Sequence, residues 1–171
     1  PDPRQQERNL SRLLDRVQKI RPSSVFLQAF ADPDGDGVAD ALYFPSRRMP
    51  MRADLFNRVA WQLRTRTGVS VYAWMPVSSF HLPDSDPAAN RLVQQMPGAP
   101  QGASHTYRRL SVFDPVARQA IRDIYDDLGR HASFAGVLYH DDAMFNDFED
   151  ASPAALAVYL GWGLPADVAA I

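Results

Sequence analysis

The sequence predicts an α/β protein built around a parallel sheet. Segments with helical apolar spacing alternate with short apolar runs typical of strands, in the order helix, strand, helix, strand, helix, strand, helix. Turn and capping residues separate these segments. Such alternation indicates βαβ units, whose strands run parallel. Because a parallel sheet is normally covered on both faces and three strands are few, we expect a piece of a larger α/β domain.

The first half of the chain contains two predicted helices and two predicted strands. Residues 5–20 carry five apolar residues at helical spacing: Leu10, Leu13, Leu14, Val17 and Ile20. Residues 24–30 form a short apolar run typical of a buried strand. Residues 53–67 again show one apolar helical face, and Gly68 is a plausible helix stop. Residues 69–75 predict the second strand.

The second half begins with a long segment without periodicity. Residues 77–111 contain four prolines, and loops of this length are uncommon in compact domains unless they are functional or mobile. Asp114 and Pro115 suit the N-cap and first position of a helix that runs to about residue 130. Residues 134–139 predict a third strand, and Ser152-Pro153 opens a last helix.

Composition excludes several classes of protein. The 171 residues include 18 Lys+Arg and 20 Asp+Glu, and this net charge of -2 argues against a dedicated nucleic-acid or anionic-membrane binder. No apolar run approaches the roughly 18 residues of a membrane helix. The absence of cysteine excludes disulfides, thiolate nucleophiles and cysteine zinc sites. Lys19 is the one lysine, which makes Schiff-base and P-loop chemistry improbable.

An acidic segment follows the third predicted strand. Five carboxylates lie within residues 140–150: Asp141, Asp142, Asp147, Glu149 and Asp150. Crowded carboxylates push their pKa values apart, so that one can hold a proton while another is ionised, as glycoside hydrolysis requires. Two alternatives remain open at this point: a solvated acidic loop, and a divalent-metal site that uses His140, Asp141 and Asp142.

Aromatic residues lie at or after the other strand ends. Phe30 ends the first strand, Trp74 ends the second, and Tyr43-Phe44 lies in the loop between them. Sugar rings stack on such side chains, although core packing is the favoured explanation for Phe30, Phe44 and Trp74 when each is taken alone.

Two further motifs have structural explanations. Residues 32–37 match the start of a calcium loop, but position twelve is Tyr43 rather than Glu, so an Asx/Gly turn is expected. The arginines Arg47, Arg48 and Arg52 crowd the loop before the second helix. A solvated basic face is expected, with the alternative that they bind acidic loop residues or glycan oxygens.

Several long blocks resemble one family. Residues 25–37, 42–45, 50–64, 71–76, 140–142 and 147–152 are similar to the C-terminal domain of the bacterial poly-β-1,6-N-acetyl-D-glucosamine N-deacetylases. The matching blocks extend from about residue 5 to residue 165. The resemblance implies a (β/α)8 TIM-barrel fold and glycoside hydrolase activity on partially deacetylated poly-β-1,6-N-acetylglucosamine, in the periplasm of Gram-negative bacteria. Nothing in the chain resembles the family's N-terminal deacetylase domain, so deacetylation is not expected of it.

The resemblance also places the chain within the barrel. The family domain is about twice as long, so residues 1–171 would be a single fragment containing barrel strands two to four with their helices. The polysaccharide and components of exopolysaccharide export would be its partners, and no cofactor or metal is implied. A further family carboxylate would lie outside the chain.

The resemblance suggests roles for individual residues. Asp141 would be the general acid, Asp147 would orient or tune it, and Asp142 would hold the charge of the site. Substrate contacts would come from six side chains: Trp74, Tyr43, Phe44, Phe30, His140 and Glu149. Two rival functions remain: a non-catalytic module that guides the polymer during export, and a metal-dependent hydrolase.

Overall fold

A computed structural model describes residues 2–100 and 107–165. Within these residues the helices are α1 (Pro3–Ile20), α2 (Phe56–Thr67), α3 (Pro115–His131) and α4 (Pro153–Gly161). The strands are β1 (Ser24–Gln28), β2 (Phe30–Ala31), β3 (Ala41–Leu42), β4 (Ser70–Met75) and β5 (Gly136–Tyr139). Strands β1, β4 and β5 form a three-stranded parallel sheet with β4 at its centre. The predicted parallel α/β architecture is therefore confirmed.

Capping residues explain where three of the helices begin. Asp2, Asp114 and Ser152 each accept a hydrogen bond from a backbone N–H in the first turn of α1, α3 and α4. A proline follows each of these caps, where its missing N–H has no intrahelical partner to lose. Helix α2 ends at Gly68, which adopts the left-handed conformation (φ 73°) that glycine tolerates.

Tertiary pairing moves three of the predicted boundaries. The strand expected over residues 24–30 divides after Gln28, because Phe30 and Ala31 leave the parallel sheet and pair antiparallel with β3. Helix α2 begins at Phe56 rather than at residue 53, since the N–H groups of Leu55 and Phe56 donate to the Tyr43 carbonyl. Strand β5 begins at Gly136, opposite Tyr72 of β4.

The two faces of the parallel sheet differ in burial. On one face, Val71, Ala73 and Met75 of β4 are fully buried beneath the helices. The other face carries Phe26 and Leu138, which are 55% and 38% exposed. Because side chains alternate along a strand, Tyr72 and Trp74 belong to this second face. In the described residues the second face is therefore open.

The core has two parts that meet at β4. Helices α1 and α2 pack together over Val71, through residues that include Leu14, Ala60 and Leu63. The larger part joins Ala73 and Met75 to α3 and to the loops beyond the strands; its largest fully buried side chains include Phe44, Phe56 and Phe80. Burial of these apolar surfaces is the main favourable term that holds the sheet against its helices.

The arginines that precede α2 form ion pairs. Arg48 donates to Asp123 of α3 at 2.6 Å and 2.8 Å and to Asp86 at 3.1 Å, and Arg47 donates to Asp127 at 2.9 Å. These contacts fasten α3 to the loop before α2, so Arg47 and Arg48 do not form the solvated basic face expected from the sequence. Within the described ranges, no helix combines the length and apolar character needed to cross a membrane.

Candidate active site

The acidic segment begins where the carboxyl ends of β4 and β5 meet. The strands are paired up to Met75 and Tyr139, and the N–H of His140 donates to the Met75 carbonyl at 2.9 Å. A single 3-10 turn, Asp141–Ala143, follows at once. In α/β folds this edge of a parallel sheet is where functional side chains collect. The prediction that the acidic segment lies at a strand's carboxyl end is therefore confirmed.

Asp142 is fully buried and acts as a hydrogen-bond acceptor for the chain that leaves β4. Its Oδ1 accepts from the N–H of Val77 at 2.9 Å. Its Oδ2 accepts from the N–H groups of Ser78 and Ser79, each at 2.7 Å, and from the Ser78 hydroxyl at 3.2 Å. No part of the side chain is exposed. Asp142 therefore joins the end of β4 to the turn after β5 and offers no surface to a substrate.

Asp141, its neighbour, is exposed. Its side chain is 66% accessible, and its Oδ1 accepts a hydrogen bond from the Tyr107 hydroxyl at 3.0 Å. The Nδ1 atom of His140 lies 2.9 Å from the same oxygen, without the geometry of a hydrogen bond. The hydrogen bond to Asp141, together with burial and the nearby negative charges, raises the pKa of Tyr107, so its hydroxyl stays a donor. Asp141 is the carboxylate of this pair that a substrate could reach.

Aromatic side chains surround His140, the residue before Asp141. The imidazole ring of His140 stacks on Trp74, with ring centroids 6.0 Å apart and planes inclined by 17°. Phe30 and Tyr107 meet the same ring edge-on, at 6.5 Å and 5.2 Å. Trp74 is half-buried, whereas Phe30 is only 2% exposed. The structure thus brings together His140, Asp141, Trp74 and Phe30, with Phe30 supporting the cluster from within the core.

Tyr43 and Phe44 occupy different surroundings. Tyr43 lines a shallow apolar hollow between β1 and α2, together with Leu27 and Val59. Phe44 is completely buried in the core. Its position offers no surface on which a sugar ring could stack. Local sequence could not show which of the two side chains is buried, because they are adjacent in the same loop and differ only in the direction that the loop gives each side chain.

Glu149 forms a buried ion pair with Arg109. The two side chains are 4% and 1% exposed, and the Arg109 guanidinium also donates to the Met144 carbonyl at 2.5 Å. The same guanidinium lies 5.1 Å from the centroid of the Phe145 ring. Arg109 therefore holds the acidic segment from inside, and Glu149 has almost no surface for a substrate. Sequence reasoning missed Arg109, which lies in the aperiodic segment 77–111, 40 residues from its partner.

Asp150 anchors the end of the segment, whereas Asp147 is exposed. Asp150 accepts from the N–H groups of Gln94 and Ser152 and, at 2.6 Å, from the Ser111 hydroxyl. Asp147 lines a cleft with Met96 and Tyr159, on the side of α4. Of the five carboxylates in the segment, three hold the backbone from within and two, Asp141 and Asp147, face solvent.

A second acidic group lies in the loop between β2 and β3. Asp32 accepts from the N–H groups of Gly35, Asp36 and Gly37, which is the Asx/Gly turn expected from the sequence. Carboxylate oxygens of Asp32, Asp34 and Asp40 lie within 4.8 Å of one another. Among residues 2–100 and 107–165, His140, Asp141 and Asp142 do not form such a group, and both oxygens of Asp142 already accept hydrogen bonds.

Comparisons with known proteins agree on one family. The model of hypothetical glycosyl hydrolase family 13 matches residues 1–171. The chain is 49% identical over 157 residues to the poly-beta-1,6-N-acetyl-D-glucosamine N-deacetylases of Escherichia coli K12 and O157:H7. It also superimposes on the PgaB (BpsB) glycoside hydrolase domain from Bordetella bronchiseptica with a TM-score of 0.92 and 57% identity. The resemblance found in the sequence is confirmed.

The chain is shorter than these relatives. The alignment with the curated deacetylases covers 91% of the chain but 23% of their length. The match to the Bordetella domain covers the whole chain and 49% of that structure.

Proposed function

Because the chain belongs to hypothetical glycosyl hydrolase family 13, we propose that it is part of a glycoside hydrolase domain acting on partially deacetylated poly-β-1,6-N-acetyl-D-glucosamine. The Escherichia coli relatives, whose name contains this polysaccharide, support the choice of substrate, and the Bordetella relative supports the glycoside hydrolase class. The observation that carries the proposal is Asp141, an exposed carboxylate at the carboxyl end of β5 beside the stacked rings of His140 and Trp74. A glycan cleft needs this combination of a carboxyl group with an aromatic surface.

In this proposal Asp141 is the general acid that protonates the leaving glycosidic oxygen. A half-buried Trp74 supplies an apolar surface for the C–H face of a sugar ring, and His140 fixes the orientation of that surface. Asp142 and Glu149 serve the site through the backbone that they hold. Asp147, exposed six residues further along, lies on the side of α4 with Met96 and Tyr159, so in this proposal it adds negative charge to the acidic segment and is not part of the aromatic cluster.

We also propose the position of the chain in its parent domain. Residues 1–171 form a single fragment of a (β/α)8 barrel, in which β1, β4 and β5 are strands two, three and four. The open sheet face with Phe26 and Leu138 supports this, since it would become the interior of the closed barrel. The partner carboxylate of the acid lies outside the chain. Periplasmic localisation and partners in polysaccharide export belong to the same proposal, and the family assignment supports them.

A second function is a polymer-binding module without cleavage. The exposed Asp141 beside the stacked rings of His140 and Trp74 also suits a surface that holds the polymer while other parts of the protein act on it. Partially deacetylated polymer is cationic near neutral pH, and the exposed Asp141 and Asp147 complement that charge. Binding alone would need the aromatic and acidic side chains but not an acid at the scissile bond.

The substitution Asp141→Asn in the full-length protein separates these functions. If Asp141 is the acid, polymer cleavage should fall by roughly 10²- to 10⁴-fold while polymer binding is retained within a few fold. The matched control is Asp15→Asn, which makes the same change at an exposed carboxylate on α1 and should leave cleavage unchanged. Cleavage retained in Asp141→Asn would eliminate the acid assignment. Activity lost in a chelator would instead support the metal-dependent alternative.

A further inference from the structure

Tyr107 connects two segments that are distant in the sequence. Its hydroxyl donates to Asp141 Oδ1 at 3.0 Å, and its ring meets the His140 ring edge-on at 5.2 Å. Tyr107 is one of the last residues of the aperiodic segment 77–111, whereas Asp141 follows β5. The local sequence around either residue does not predict this contact. The contact joins the long loop to the exposed carboxylate of the candidate site.

The ring of Tyr107 rests on the backbone of Gly37. A β-carbon at position 37 would stand 2.2 Å from Cε1 and 2.6 Å from Cδ1 of the ring, closer than real atoms approach. Gly37 has φ 82°, and its N–H donates to Asp32 in the turn between β2 and β3. The aromatic ring is therefore confined between the glycine of one loop and the imidazole of another, and this confinement directs its hydroxyl.

We propose that Tyr107, seated on Gly37, is a positioning residue that orients Asp141 through a hydrogen bond to Oδ1. This inference rests on the proposed function, in which Asp141 is the general acid. Since Oδ1 is occupied by the tyrosine hydroxyl, Oδ2 carries the acid proton. The general acid assignment leaves the turn of residues 32–37 without a role. In this proposal the turn supports the Tyr107 ring, whose hydroxyl binds Asp141.

The step balances as an ordinary hydrolysis. The proton moves from Asp141 Oδ2 to the glycosidic oxygen, and the bond between that oxygen and the sugar C1 breaks with its electron pair going to oxygen. Water then adds its oxygen to C1 and releases a proton to a carboxylate or to solvent, from which Asp141 is reprotonated for the next turnover. Tyr107 keeps its own proton throughout, in accord with the raised pKa of its hydroxyl. As Asp141 becomes a carboxylate, the hydrogen bond from Tyr107 becomes charge-assisted and therefore stronger, which favours the transition state.

The test is Tyr107→Phe in the full-length protein, with partially deacetylated polymer as substrate. This change removes the hydroxyl and leaves the ring on Gly37. We expect kcat to fall roughly 10-fold with KM and melting temperature unchanged, because only an interaction that strengthens in the transition state is lost. A wild-type kcat would overturn the proposal. A raised KM with an unchanged kcat would also overturn it, since Tyr107 would then be a sugar contact.

A pair of glycine variants tests the seat. Gly37→Ala should displace the ring and lower kcat as Tyr107→Phe does. Gly35→Ala is its matched control, because Gly35 has a similar φ of 77° in the same turn but nothing within 4 Å of the added carbon. Both variants carry the same backbone strain, so a difference in kcat between them reports the ring contact. Equal kcat values in the two variants would contradict a role for the seat.

Combination with Asp141→Asn separates this inference from the proposed function. If Tyr107 acts through Asp141, Tyr107→Phe should reduce activity no further in the Asp141→Asn background. Losses that multiply in the double variant would overturn the positioning role. Cleavage that survives Asp141→Asn alone would refute the general acid assignment itself. If the single variant Asp141→Asn is inactive and the single variant Tyr107→Phe is fully active, only the inference about Tyr107 is refuted.

Discussion

The same substitution is expected to change the stability of the protein at one of two adjacent aspartates and not at the other. Asp142→Asn should destabilise the protein, whereas Asp141→Asn should not. Asp142 accepts three backbone N–H groups through its two oxygens, and an asparagine can retain only one of those oxygens. If the amide oxygen takes the position of Oδ2, which serves Ser78 and Ser79, the amide nitrogen faces the Val77 N–H and leaves that partly buried donor unpaired.

The magnitude follows from these contacts. One unsatisfied buried donor costs about 1–3 kcal/mol, and the two remaining bonds lose the strengthening that a charged acceptor provides. The expected loss in the free energy of unfolding is about 3 kcal/mol for Asp142→Asn, and more for Asp142→Ala, which removes both acceptors. Asp141 is 66% exposed, so its change to asparagine should stay within about 0.5 kcal/mol of wild type.

Two measurements check this prediction. Urea denaturation of the full-length variants gives the difference in the free energy of unfolding. Hydrogen exchange of the peptide containing residues 77–79 reports the same bonds locally, and its amides should exchange roughly 100-fold faster in Asp142→Asn. Asp141→Asn should leave that peptide protected. Equal stability and equal exchange in the two variants would refute the anchoring role of Asp142.

Two further predictions concern charge. Burial opposes ionisation of Asp123, yet hydrogen bonds from Arg48 and Gln119 outweigh it and lower the pKa of this carboxyl. A carboxyl whose folded-state pKa is lowered stabilises the protein above its unfolded pKa, and this stabilisation is lost as pH falls through the folded value. Arg48→Met should therefore cost about 2 kcal/mol at pH 7 and progressively less as the pH is lowered toward about 2. Separately, added salt should weaken binding of the cationic, partially deacetylated polymer measured by calorimetry.

Each charge prediction has its own control. Arg52→Met removes an exposed arginine from the same loop and should leave stability unchanged at both pH values. A loss of equal size at pH 7 and at about pH 2 would exclude the Arg48–Asp123 pair as the cause. For binding, the fully acetylated polymer is neutral and should show no salt dependence. Equal salt dependence of the two polymers would contradict the role of the exposed carboxylates.

Local pattern was enough for most of the fold. Apolar spacing predicted the extent of α1 and α3 to within two residues, and the cap at Asp114 and the stop at Gly68 are where the sequence placed them. Alternation of helices and strands predicted the parallel sheet. These features depend on residues close together in the chain, and backbone geometry converts their spacing directly into structure. The boundaries that shifted, at Gln28, Phe56 and Gly136, are those at which backbone groups outside the segment supply the hydrogen bonds.

By itself the sequence determined that five carboxylates follow a strand end, and its long blocks identified the family. Only the tertiary structure decided which of these carboxylates face solvent. Asp142 is buried because the N–H groups of residues 77–79, which lie 63 to 65 positions earlier in the chain, satisfy its carboxylate. Glu149 is buried because Arg109, in the aperiodic loop, pairs with it. The hydrogen bond from Tyr107 to Asp141 likewise joins residues that are distant in the sequence. An ionised side chain is buried only where partners satisfy it, and those partners become neighbours only when the chain folds.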